Sequence, residues 1–480
     1  MTFPKSTVGY QDGSLGIAAA QTDGIVCVLG YSTLGTTGTL YDFNNASPTE
    51  VKATLGKGRL AQMVASLMAT PNHGPVIAIP LASTAGTNSA VTSTGTTPPA
   101  VTLTGTPYDD GSGIVQIVQA GARGTATFKY SLDGGTTYSP EILTAATYLM
   151  DNGVTLNFAV GNYAADNKYT FTCVAPTHSN ANITAGLDAL IASGRDVGFI
   201  GILSANTGAT DTDRATAMAA TFAAVSTKID ALETAYRYVG CVIEAPSPVA
   251  TDSSGMTAWR SALVVAGPAL SSGEGRMMIA AGYCAKTSDL DALNYRRSSI
   301  FPVLERLSQA PISEDLGRVL SGALRGVTSI EHDEEATGGL DSQRYVTLRK
   351  VAGRQGFFVT QGNTFAPSGS DYSLCQYTRV INAASKTLRN KSLDYLNDSA
   401  FADNATGKIR ESDALVIDAD LKDALEEALA GHVSGLSVRV NRNSNFLSGG
   451  QVKVEGLIQP LLYFKDIGLS LGFSKSLPAA

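Results

Sequence analysis

The chain has 480 residues, enough for roughly two to four separate cores, because a single core stops growing well below that length. Hydrophobic residues make up 44% and charged residues 16%, a globular, weakly charged composition that excludes an intrinsically disordered protein. The formal charge of −7 comes without a basic stripe, so no nucleic-acid partner is expected.

Five scattered cysteines (Cys27, Cys173, Cys241, Cys284, Cys375) form no CxxC pair and are odd in number, the pattern of reduced, buried thiols made in a cytosol. No stretch of about 18 apolar residues occurs, and MTFPKSTVGYQDGSLG lacks the order of a signal peptide. A soluble chain is expected, with no membrane insertion and no standard export.

Residues 1–20 are rich in Gly, Ser and Thr and cannot bury a core, which fits an extended arm or a frayed terminus. From Asp23, DGIVCVLGYS reads as a buried strand, VKATLGKGRLAQMVASLMAT as a helix with Leu60, Val64 and Leu67 at helical spacing, and PVIAIPLAS as a second buried strand. That βαβ order predicts a parallel sheet. Residues 84–100 are a Thr/Ser/Gly/Pro seam, and the alternating runs up to Pro176 predict a β-sandwich at 91–177 with turns at Asp110-Gly111 and Asp133-Gly134. After Asn180 the α/β rhythm resumes through ITAGLDALIASG, DVGFIGILSA, a long Ala-rich helix, YVGCVIEAP and RMMIAAGYCA.

The expected fold class is therefore mixed α/β and α+β in several domains. Residues 21–83 and 179–345 form one discontinuous α/β domain interrupted by the sandwich, and 346–480 form an α+β module. In that module two strands precede a long helix, an amphipathic helix closes at Gly431, and strands end the chain.

Chemistry is sparse. No nucleophile elbow, HExxH or paired-histidine spacing is expected to organise a site, and His73, His178, His332 and His432 read as surface or loop residues. Gly30, Gly35 and Gly38 follow a strand, but Lys57 sits in Gly-Lys-Gly, so they read as turn glycines and no phosphate loop is expected. The acidic run Glu331, Asp333, Glu334, Glu335 has no EF-hand spacing and reads as a solvated loop crest, and Trp259 reads as a packing residue. No catalytic residue, cofactor or metal is assigned.

The C-terminal third supplies the resemblance. QGNTFAPSGSDYSLCQYTRVINAASKTLRNKSLDYLN carries an aspartate-aromatic pair opening a helix (Asp371, Tyr372) and an Arg-Val pair inside it (Arg379, Val380). A Gly-Lys-Ile turn at Gly407 to Ile409 and VNRNSNFLSGGQVKVEGLIQP with Pro460 follow. This order resembles the contractile tail sheath family of phages, pyocins and related injection machines, over roughly the last 130 residues, more weakly over 21–83, and not in the sandwich.

The resemblance implies a structural subunit, not an enzyme, that stacks as six-fold rings around an inner tube protein, with baseplate and tail terminator proteins as further partners. It implies a place in a virion tail, assembled in a bacterial cytoplasm. It also implies exchanged terminal strands: Val8, Tyr10, Leu15 and Ile17 in the arm, and Ile467, Leu469, Leu471 and Phe473 in the last strand. The run IGLSLGF alternates without charge and by itself reads as an edge that wants a partner, or as the strand that closes its own sheet.

On the helix near Tyr377 to Leu396, Ile381, Ala384, Leu388 and Tyr395 share one face, while Arg379, Lys386 and Arg389 fall opposite as a candidate contact to an acidic tube. Two other classes stay open: an adhesion protein whose sandwich binds carbohydrate, and, ranked last, a hydrolase on the α/β core.

Overall fold

The computed structural model describes residues 24–204, 206–403, 406–443 and 452–465. It is a mixed α/β structure whose contacts divide into two compact units between Asn382 and Ala383.

The first unit is organised by a six-stranded sheet in the order Met277–Ala280, Gly240–Glu244, Phe199–Ile202, Val26–Gly30, Val76–Pro80, Tyr41–Phe43. All pairs are parallel except the last, where Tyr41–Phe43 runs antiparallel along one edge. The five parallel strands are buried throughout, which explains their unbroken apolar runs. Val26 and Val28 enter one core with helices Arg59–Met68 and Ile300–Gln309; Cys27 and Leu29 enter the other with Asn180–Ser193, Asp211–Thr234 and Ser253–Ala266.

Between Pro80 and Asn180 the chain builds two larger antiparallel sheets and a two-stranded pair, Gly121–Ala122 with Asn162–Tyr163. One larger sheet orders Ile142–Leu143, Thr127–Ser131, Gly111–Gln119, Lys168–Val174 and Thr87–Asn88; the other orders Thr147–Leu149, Thr155–Phe158 and Val101–Thr104. Alternate residues such as Tyr169, Phe171 and Cys173 face a shared core with Phe128, Leu156 and Phe158. The chain enters and leaves this element side by side, with paired bonds between Thr84 and Thr177 at 2.9 and 3.1 Å.

Three expectations are corrected. The helix read over 51–70 is two helices, Pro48–Leu55 and Arg59–Met68, separated at Gly56-Lys57-Gly58. Gly56 (φ 71°) and Gly58 (φ 113°) hold left-handed conformations, and a Cβ at Gly56 would lie 2.2 Å from Thr33 Oγ1. The compact units do not divide at 345/346: Val346, Leu348, Val359 and Cys375 complete one core of the first unit, and Tyr345 and Phe365 the other. The amphipathic helix runs Glu411–Ala428 with Leu429 as its cap, and the positive-φ Gly431 lies in the turn beyond.

The second unit contains the last part of helix Cys375–Ser392, the helix Glu411–Ala428 and a two-stranded antiparallel hairpin, Val433–Val440 with Val454–Pro460. Among the described residues no helix is long and apolar enough to cross a membrane.

Candidate assembly surfaces

The second unit's hairpin is the most open element of the fold. Among the described residues its sheet has two strands, so each strand has an outer edge that no described segment pairs. Two strands are marginal alone in water, and a row of unpaired N–H and C=O groups is a template for another strand. Leu457 is 74% exposed, Leu462 87% and Phe464 92%, an apolar surface continuing from the second strand into the segment beyond it.

The underside is fixed. Val438 and Val440 are buried, and Val440 packs with Ile409 and Ala414, at the start of helix Glu411–Ala428. Asp418 on that helix accepts the Val440 N–H at 2.5 Å and an Arg442 N–H at 2.7 Å, while Arg442 also reaches Glu411 at 2.9 Å. Burial would raise the Asp418 carboxyl, but the Arg442 and Val440 bonds outweigh it and hold the group below its ordinary value. Lys391, at the end of helix Cys375–Ser392, lies 3.1 Å from both Asp394 and Asp420.

The expected linkage residues Val8, Tyr10, Leu15, Ile17, Ile467, Leu469, Leu471 and Phe473 all lie outside the described residues. The basic-face reading is corrected at Arg379. That residue is buried in the first unit, its guanidinium 5.3 Å from the Phe199 ring centre and donating to the Pro311 carbonyl at 3.1 Å. Its neighbours are similarly engaged: Gln376 bonds Asp315, Thr378 bonds the Gly275 carbonyl, and Asn382 accepts from Arg276. The helix therefore enters the first unit buried nearly all round, and Lys386 and Arg389 follow half-buried. A wheel drawn from sequence assigns polar residues to solvent, whereas these have protein partners.

The acidic run is corrected in the same way. Glu331 pairs Arg296 at 2.5 and 2.7 Å, Asp333 accepts backbone N–H groups of Glu335 and Lys350, and Glu335 meets Arg349 at 3.4 Å. Glu334 is buried against His332 at 2.8 Å, so that histidine is a loop residue but an interior one, not at the surface. Trp259 packs edge-on to His332, its indole N–H donating to the Pro246 carbonyl at 2.8 Å. Asp230, Glu233 and Glu274 come together as well, but Arg276 bonds Glu233 and lies 3.6 Å from Glu274, supplying the positive charge.

An open parallel sheet holds its ligand beyond the carboxyl ends of its strands, the end at which Gly30 and Glu244 lie here. A Cβ at Gly30 would lie 3.1 Å from that of Leu203, and beside it Arg59 forms a buried two-point pair with Glu244 at 3.1 and 2.6 Å. One G-x-S-x-G string does occur, Gly468 to Gly472, in the run read as the last strand; it lies outside the described residues.

A family model described as the N-terminal domain of DUF2586 matches residues 3–363. The chain belongs to the DUF2586 family. No curated protein sequence matches this DUF2586 chain.

Three solved structures are similar to it. The sheath tail protein of Desulfitobacterium hafniense is 11% identical, covering 96% of this chain and 100% of its own, at a TM-score of 0.46. A chain of the anti-feeding prophage baseplate is 10% identical over 99% of both, at 0.49. The sheath complex of an extracellular contractile injection system, PVC, in its contracted state, is 9% identical over 99% of this chain and 98% of that one, at 0.51. The DUF2586 chain thus has the fold of a contractile sheath protein.

The sequence reading missed the long-range ion pairs. Arg297 bonds Asp109 at 3.0 and 2.5 Å and also bonds Gln62, while Lys286 meets Glu305 at 3.0 Å. Their partners are far apart along the chain, and the only local signal is a charge inside an apolar run, as in GCVIE.

Proposed function

We propose that the chain is the subunit of a contractile tail sheath. In this reading it polymerises as six-fold rings stacked around an inner tube, anchored by baseplate and terminator proteins, in the tail of a phage or a phage-like particle assembled in a bacterial cytoplasm. The observation that carries it is the likeness over nearly the whole chain to a sheath in its contracted state.

The linkage is strand addition. The arm at 1–20, through Val8, Tyr10, Leu15 and Ile17, and the final run Ile467, Leu469, Leu471 and Phe473 pair with the hairpin of neighbouring copies. Each main-chain hydrogen bond contributes about 0.5–1.5 kcal/mol net, so a strand of several residues holds a neighbour where single contacts would not. The open edges of Val433–Val440 and Val454–Pro460 support this reading. The inserted sandwich takes the outer surface, and contraction draws on new contacts between subunits and not on a nucleotide.

Negative-stain microscopy of the purified chain tests it. Hollow tubes of uniform diameter are expected across a range of salt and protein concentrations; only monomers or small closed rings under all of them would overturn the reading.

A further inference from the structure

We propose that the cleft between the inserted sandwich and the loop leading into Asn294 is a binding site for a neutral saccharide. The cleft has a volume of about 460 Å³, within the range of small-ligand sites. Four of its fifteen lining residues are tyrosines, in a chain with 18 tyrosines among 480 residues, so the aromatic lining is a local concentration.

Two of those rings form its accessible walls. Tyr138 is 37% exposed and carries the Lys129 ammonium 4.6 Å from its ring centre. Tyr148 is half-buried and held edge-on to Phe128 at 5.4 Å. Aromatic faces of this kind take the slightly positive C–H face of a sugar ring.

Polar groups with spare capacity lie beside them. Asn294 accepts the Thr287 hydroxyl at 2.7 Å through Oδ1, which leaves its amide N–H groups as donors. Asp151 accepts the Tyr130 hydroxyl on Oδ2 at 2.7 Å, and its other oxygen, 3.7 Å from Lys57, retains acceptor capacity toward a hydroxyl pair.

Charge selects a neutral ligand. The lining has two carboxylates, Asp133 and Asp151, and no Lys, Arg or His, so an anion is disfavoured. Asp133 is engaged by Ser131 and Thr137, and Asp151 already faces Lys57 at 3.7 Å, so neither carboxylate stands as an unpartnered charge for a cationic ligand. Because Asn294 and Leu293 form one wall, the sandwich alone does not complete the site. The inference is independent of the sheath reading.

The test uses the full chain, titrated with a panel of neutral di- and trisaccharides by saturation-transfer NMR and calorimetry. Tetramethylammonium and a sialylated trisaccharide serve as charged probes. Saturable binding of at least one neutral sugar is expected, weakened at least tenfold in Tyr138→Ala and in Asn294→Ala. Neither residue sits in a core, and an unchanged melting temperature confirms folding; Tyr148→Phe keeps the ring and should bind as the parent does. No neutral sugar bound at millimolar concentration, preference for either charged probe, or binding untouched by both alanine variants would each overturn the proposal.

Discussion

Asp109 and Arg297 form the clearest single contact between the inserted sandwich and the α/β sheet's surroundings, two oxygens against two guanidinium nitrogens with both side chains buried. Burial pushes the Asp109 carboxyl up, and the facing Arg297 opposes that shift. Removing one member of such a pair strands a buried charge, which costs about 3–5 kcal/mol. Asp109→Ala should therefore destabilise the chain by about that amount in urea unfolding, and adding Arg297→Met should recover most of the loss. A double variant no more stable than the single one would show that the arginine was never the stranded group.

Glu334 gives a pH-dependent counterpart. Burial would raise its carboxyl, but the His332 ring and the N–H groups of Asp341 and Gly339 hold it below its ordinary value of 4.5. A carboxylate whose folded value is depressed adds stability that is present above its unfolded value and is lost as pH falls through the folded one. The stability gap between the parent and Glu334→Gln should therefore be full above about pH 5 and close as the pH falls below 4. Thermal melts at half-unit intervals measure it; a gap independent of pH would place the effect in shape and not in charge.

Thiols provide a third residue-scale check. All five cysteines are buried, and burial pushes Cys173 and Cys284 up to about 12. The thiolate is the reactive form, so Ellman's reagent at pH 8 should label none of them in the native chain and all five after unfolding.

At the scale of elements, the sequence was readable where one environment surrounds a whole segment. The parallel strands show as continuous apolar runs because both faces are covered, and Lys168–Val174 shows as strict alternation because one face is. It was unreadable where tertiary partners override the local pattern. Gly56 and Gly58 break a helix whose apolar spacing continues through them, because the chain at Tyr31 to Leu34 crosses at that point. Gly56→Ala combines a left-handed φ with a clash against Thr33, so a loss of about 1–3 kcal/mol is expected in denaturant unfolding. The hairpin makes the opposite prediction. Leu457 is 74% exposed, so Leu457→Lys should leave unfolding within about 0.5 kcal/mol of the parent while abolishing tubes in the microscope.

At the scale of the molecule, the sandwich interrupts a fold that is continuous without it. Val76–Pro80 and Phe199–Ile202 both flank Val26–Gly30, so the sheet is built from segments on either side of the insertion. Thr84 and Thr177 are hydrogen-bonded to each other, which brings the two ends of the insertion together at the point of entry. A short Gly-Ser link replacing residues 86–175 therefore closes the chain without stretching it. Such a deletion exposes Arg297, so the variant should also carry Arg297→Met. Because the hairpin and the terminal segments are untouched, this shortened chain should fold and still polymerise, into tubes of smaller outer diameter but the same ring spacing. Soluble, folded subunits that never form tubes would mean that the sandwich carries contacts between neighbours, and the outer-surface placement would fall.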